Sequence, residues 1–246
     1  MLDAAERFEH AAKERALHTL DGTDFQVSGL KATDAAAAIY KRGMVANKPG
    51  RRIYNVIMAA PPHQRCPLCG QGLVRQMDHH LPKERFPALC VVPLNLVPAC
   101  GDCNHRKGAK TPESAEAALL HPYVDRIDSE RWLNARVRHD DDPSLEYFVD
   151  PPGSWDPVLS ARVQNHFDFF DLARLYATRA AALICDIRRQ IARLVSAAGP
   201  EEVNAYLADE AETRFAHQLN GWEGVAYKAL AADDWFCRGE FLVPRP

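Results

Sequence analysis

The chain has 246 residues, 47% of them hydrophobic and 26% charged, with a formal net charge of −3 and seven cysteines. That length and balance allow a sizeable core in one large domain or two small ones, and no apolar run approaches the ~20 residues of a membrane span. The mild acidity argues against a protein that coats nucleic acid over its whole surface.

The charged N-terminus M-L-D-A-A-E-R-F-E-H lacks the apolar stretch of a secretory signal, so a cytoplasmic chain is expected. Residues 1–60 read as an N-terminal helical segment. Thr33 or Asp34 can cap an alanine-rich helix, Pro49-Gly50 interrupts it, and residues 51–60 resume as a short helix ending at Pro61-Pro62. Residues 61–112 form the next block. It holds two Cys-x-x-C pairs, Cys66/Cys69 and Cys100/Cys103, around Asp78, His79 and Asn95, and Asn104 follows the last cysteine. Inside it, residues 70–77 and the approach to His79 suit a short hairpin. Pro87, Pro93 and Pro98 exclude a regular helix near 88–97. A helix is expected from Asn104, limited by Gly108.

Thr111-Pro112-Glu113 is expected to open another helix, with proline in the first turn. Residues 139–157 have linker composition, with room for a short strand at 145–149, so 113–157 reads as helix and linker. From 158 to 246 the chain is a C-terminal helical region. Val163, Phe167 and Phe170 fall at helical spacing, as do Leu183, Ile187, Ile191 and Leu194. Gly199-Pro200 ends one helix and opens another over 201–219, and a last one covers Trp222–Ala231. These stripes are core, packed on the rest of the chain or on a partner.

Two pairs of thiolates at this spacing suit a tetrahedral Zn²⁺ site, because each short gap aims both sulfurs at one metal. The metal would then hold the intervening loop in place. On their own, four such cysteines equally suit a zinc module that only binds a partner. Cys90, Cys185 and Cys237 are left as buried free thiols. Charge is unevenly spread: residues 51–110 carry nine Lys/Arg against three Asp/Glu, and the remainder carries 21 against 30. A basic island on an acidic body is the footprint of a phosphate-backbone site. The bland alternative is a solvated patch, and the coincidence with the motif favours the first.

The runs D-H-x-x-P-K, from Asp78, and N-L-x-P-x-C-x-x-C-N-x-x-K-G, from Asn95, resemble the HNH endonuclease family, in the subgroup whose ββα-metal core is braced by a four-cysteine zinc site. The resemblance covers residues 51–110. Further wording (Y-K-R-G-M, L-H-P-Y-V-D, L-N-G-W, D-W-F-C) is similar to bacterial HNH proteins, some encoded beside ATPases in Septu-like anti-phage systems. It implies an α+β, mostly helical chain with a small HNH core embedded between helical regions. It makes Asp78 a ligand of a catalytic Mg²⁺ or Mn²⁺ and His79 the general base. Asn95 would pin the loop carrying the base, and Asn104 would be the second metal ligand, where many members have histidine.

His80 is then structural or substrate-facing. His105, turned about 100° from Asn104 on a helix, faces phosphate or solvent. Lys83, Arg85 and Lys107 are candidate phosphate clamps. The activity implied is hydrolysis of DNA, or of RNA, with an ATPase as partner in a defence complex. A different class of function also fits the residues, a zinc-braced nucleic-acid-binding or adaptor subunit with a silent centre.

Overall fold

A computed structural model describes residues 2–140 and 142–242; Asp141, in the expected linker, lies outside them. The backbone divides into two compact units, Met1–Arg126 and Ile127–Pro246. The division falls within the stretch 113–157.

In the first unit, α1 (Leu2–Lys13) buries Ala4, Phe8, Ala11 and Ala12, one stripe of an amphipathic helix. Those side chains share a core with Phe25, Leu81, Phe86 and Leu89, so the segment just after His79 is packed against the N-terminal helix. A short α2 (Ala32–Ala35) runs on as a π-helix over Ala36–Ala46, and α3 (Lys48–Ala59) follows. The cap of α2 is Lys31 with no side-chain bond, rather than Thr33 or Asp34. Pro49-Gly50 does not separate helices; it lies in the first turn of α3, where the missing proline N–H would have no intrahelical partner anyway. A Cβ at Gly50 would collide with the Gly43 carbonyl, so glycine lets α3 meet the π-helix backbone to backbone.

Strand β1 (Gln76–His79) pairs antiparallel with β2 (Leu96–Ala99), setting Asp78 opposite Val97 and His79 opposite Leu96. The local hairpin expected over 70–77 is reduced to a single bridge between Arg65 and Leu73. The ladder that holds His79 comes instead from the distant β2. Helix α4 (Gly101–Lys107) starts earlier than Asn104, because Cys100 is its cap and Sγ accepts from the Cys103 N–H; Gly108, at φ 52°, ends it. No helix opens at 111–113. Ser114 Oγ accepts from the Ala117 N–H at 3.2 Å, a local turn that competes with helix formation.

In the second unit the short strand allowed for at 145–149 is β4 (Ser144–Val149), and it pairs with β3 (Leu133–Arg138) from residues expected as helix and linker. In β4, Leu145 and Tyr147 point inward while Phe148 points out, the alternation of a half-buried strand. The Asp/Pro-rich residues are the connection and exit of this hairpin. Helices α5 (Pro157–Phe169), α6 (Leu172–Ala198), α7 (Pro200–Phe215), α8 (Trp222–Ala231) and α9 (Asp234–Cys237) complete the unit. Along α6 the buried side chains are Leu172, Tyr176, Ala180, Ile184, Ile187 and Ile191, with Leu183 and Leu194 half-buried. Asn220 ties the unit's start to its helices: Oδ1 accepts from Trp132 and Leu133 N–H, and Nδ2 donates to the Glu130 carbonyl.

The chain is α+β and mostly helical, with two two-stranded sheets among the described residues. Cys90 and Cys237 are buried, but Cys185 is exposed because it falls on the outward face of α6. Among the described residues no helix is long and apolar enough to cross a membrane.

Candidate active site

Cys66 and Cys69 lie on the turn before β1, and Cys100 and Cys103 on the first turn of α4. The chain brings all four together: they are buried and their Sγ atoms lie within 4.8 Å of one another. The Cys69–Cys100 separation is 3.9 Å, close to the ~3.8 Å that tetrahedral ligands at about 2.3 Å from a metal require. Gly72 is needed here, since a Cβ would stand 2.5 Å from Cys100 Cβ. Its N–H donates to Cys69 Sγ at 3.3 Å, and the Cys103 N–H donates to Cys100 Sγ at 3.5 Å. The neighbouring thiols, then the Gly72 amide, pull the Cys69 thiol down. Cys103 does the same for Cys100, to about 7. These four cysteines are placed to bind a metal ion, and an all-thiolate set is compatible with structural zinc.

The metal-binding turn and helix flank β1, whose last two residues are Asp78 and His79, both buried. His79 Nε2 donates to the Cys90 carbonyl at 3.0 Å. That bond fixes the tautomer, leaving the lone pair on Nδ1. Burial pushes the imidazole down to about 4, so the ring is neutral at pH 7. Asp78 Oδ1 accepts from the His79 N–H at 2.7 Å. Its Oδ2 is buried with no aligned hydrogen bond, 3.2 Å from Lys107 Nζ.

Burial raises the Asp78 carboxyl and lowers the Lys107 ammonium, and each is opposed by the charge of the other. Lys107 also donates to the His79 carbonyl at 2.6 Å. It is therefore not a surface phosphate clamp. It is a buried tie between α4 and β1, because its place on the helix turns it inward with Cys103.

Asn95 is fully buried. Its Oδ1 accepts from the Leu81 N–H at 2.7 Å, and its Nδ2 donates to the carbonyls of Leu81 and Leu89 at 3.1 and 3.2 Å. One amide thus joins the residues just past His79 to those just before Cys90, the group that holds the imidazole. Asn104 is half-buried, and its Nδ2 donates to Gln76 Oε1, which leaves Oδ1 for another partner. Asp78, His79, Lys83, Glu84 and Asn104 line one cleft of about 320 Å³. Lys83 is paired with Glu84 at 2.9 Å. Arg85 is exposed and donates to Thr111 Oγ1, His105 is exposed, and His80 is buried 4.4 Å from the ring of His121.

Two contacts escaped the sequence. Tyr40, from the π-helix, packs edge-on against His79 with centroids 4.7 Å apart. Glu84 adds a second carboxylate to the cleft. An acid next to D-H-x-x-P-K was visible as a signal for Glu84, whereas nothing local in the sequence announces a π-helix. Chemically, the cleft offers a neutral imidazole with a fixed tautomer, a carboxylate oxygen lacking a hydrogen bond and an amide oxygen. A hard cation such as Mg²⁺ or Mn²⁺ fits those oxygen donors, with the fixed charge of Lys107 competing for Asp78.

No family model and no solved structure matches this chain. It is similar to protein ea31 of Escherichia phage lambda, 27% identical over 237 residues, 90% of this chain and 79% of ea31. It is also similar to Septu protein PtuB of Bacillus thuringiensis, 37% identical over 60 residues, 24% of this chain and 23% of PtuB. The first similarity runs through both units. The second spans under a quarter of PtuB.

Proposed function

We propose that the first unit is a metal-dependent HNH endonuclease core that hydrolyses DNA phosphodiester bonds, braced by Zn²⁺ on the four cysteines. The observation that carries this reading is His79. It is a neutral imidazole held by the Cys90 carbonyl, facing a cleft beside the Asp78 carboxylate. Nδ1 takes a proton from the attacking water, and the neutral ring at pH 7 keeps that lone pair available. Asp78 and Asn104 would hold a Mg²⁺ or Mn²⁺ ion, which when bound neutralises charge on the phosphate and the departing 3′ oxygen. Lys83 stands at the cleft to meet phosphate. Cleavage leaves 5′-phosphate and 3′-hydroxyl ends.

The partial similarity to a Septu protein supports a role in anti-phage defence, with an ATPase as partner. One observation favours a second reading, a nucleic-acid-binding or adaptor subunit with a silent centre: Lys107 already pairs with the carboxylate that would take the metal. Supercoiled plasmid, incubated with the purified chain and Mg²⁺, Mn²⁺ or EDTA, decides between them. The nuclease reading expects nicking or linearisation that needs divalent metal and disappears in His79→Ala of equal zinc content. No cleavage by the wild type alone or with its co-expressed ATPase would sink it in favour of the silent subunit.

A further inference from the structure

The longest acid-free stretch of the chain runs from residue 35 to 77 and carries seven lysines and arginines. Among the described residues none of the seven takes part in an ion pair. At the centre of this stretch stands α3, a helix with no fully buried residue. Helical steps of about 100° sort its side chains into two faces. Tyr54, Ile57 and Met58 lie half-buried against Met44, Met77 and Leu96. The opposite face is a stripe of Lys48, Arg52, Asn55, Val56 and Ala59, all exposed. Val56 is 70% exposed and Ile53, on its flank, 52%. Two large aliphatics thus stand in solvent on a helix bearing Lys48, Arg51 and Arg52.

We infer that α3 docks in the major groove of duplex DNA, with Lys48 and Arg52 on the phosphates at the groove's edges and Val56 and Ile53 against base edges. The inference deepens the nuclease reading and rests on it for the choice of partner. A twelve-residue helix is about 18 Å long, and a major groove about 12 Å wide admits one. A helix face that carries Lys48 and Arg52, with no acid anywhere along α3, complements the phosphate backbone. Exposed aliphatics suit thymine methyl groups, which only the major groove presents, and Ala59 keeps the end of the stripe low enough for close approach. The seat of α3 includes Met77, the residue before Asp78, so a duplex held on the helix is registered against the strand that carries the cleft.

Binding is measured apart from hydrolysis, so that the two readings fail separately. Full-length protein in buffer without divalent cation is titrated into a fluorescein-labelled duplex longer than two helical turns, at several salt concentrations. Zinc content and melting temperature are checked for each variant. Lys48→Ala/Arg52→Ala is expected to lower affinity at 0.1 M salt by about tenfold or more and to flatten the salt slope by about 2. Ile53→Ser/Val56→Ser should weaken binding with the slope unchanged.

Plasmid cleavage intact in the wild type, with duplex affinity and slope unaltered in both variants, overturns the inference and leaves the nuclease reading standing. Absence of cleavage, alone and with the co-expressed ATPase, together with duplex binding that depends on α3, upholds the docking surface and retires the nuclease. Stronger competition by single-stranded DNA than by duplex overturns it. So does unchanged DNA binding with loss of a co-purifying protein, which would make α3 a protein-docking face.

Discussion

On the proposed nuclease reading, burial and a single backbone bond would prepare His79 for proton transfer. The Cys90 carbonyl selects the tautomer, and lack of solvent keeps the ring neutral. The same burial makes the residue an acid liability. Its folded value, near 4, lies below the ~6.5 of an unfolded histidine. Between those values the unfolded chain binds the extra proton, so stability rises with pH in that window. It is complete above about pH 6.5 and lost as pH falls toward 4, by about 3 kcal/mol over the window. Urea denaturation of wild type and His79→Gln across pH 4 to 7.5 checks this, with the wild-type curve steeper by that amount. Parallel curves would mean that His79 is hydrated and ordinary. Sequence could name His79, Asp78 and Asn95 as candidates, because residue types in a fixed order carry the pattern. It could not place Tyr40 beside the imidazole, because that contact depends on a π-helix and a distant strand pair.

At the level of elements, the site is a junction between β1 and α4, and Lys107 is its tie. Its charge and its place in the motif suggest a phosphate clamp, but it lies on the buried face of α4 with Cys103 and turns inward. Replacing it with methionine removes both the donor to the His79 carbonyl and the counter-charge of Asp78. Breaking one partner of a buried pair costs about 3–5 kcal/mol, because the other charge is left unpaired. Lys107→Met is therefore expected to lose that much in chemical denaturation, and Asp78→Asn/Lys107→Met to recover a large part. Additive losses in the double variant would show that the two groups do not act as a pair. Elements with strong local signals were legible: Gly199-Pro200 closes α6 and opens α7, and α8 covers Trp222–Ala231 as expected. Those decided by remote partners were not. The ladder between β1 and β2, the β3 partner of the strand allowed for at 145–149 and the missing helix after Thr111 all follow from pairing or capping that a local pattern does not encode.

For the whole molecule the useful fact is how the two units divide their stabilising devices. The four cysteines placed for metal, the cleft and α3 lie in Met1–Arg126, while Trp132, Trp155, Trp222 and Trp235, the only tryptophans in the chain, lie in Ile127–Pro246. The first unit joins its turn at Cys66 and Cys69 to α4 through thiols that a bound metal would cross-link, so metal binding there is linked to folding. The second unit is held by apolar helix and hairpin packing and by Asn220, and its described residues contain no such cysteine cluster. Stripping the metal with a strong chelator should therefore unfold structure without touching the tryptophans. Far-UV circular dichroism is expected to fall, and the midpoint of the transition it follows to drop. Tryptophan emission, and the midpoint it reports in a urea titration, should stay where they were. A red shift of the emission on chelation would show instead that the second unit draws its stability from the first, and that the cysteine cluster supports the entire chain.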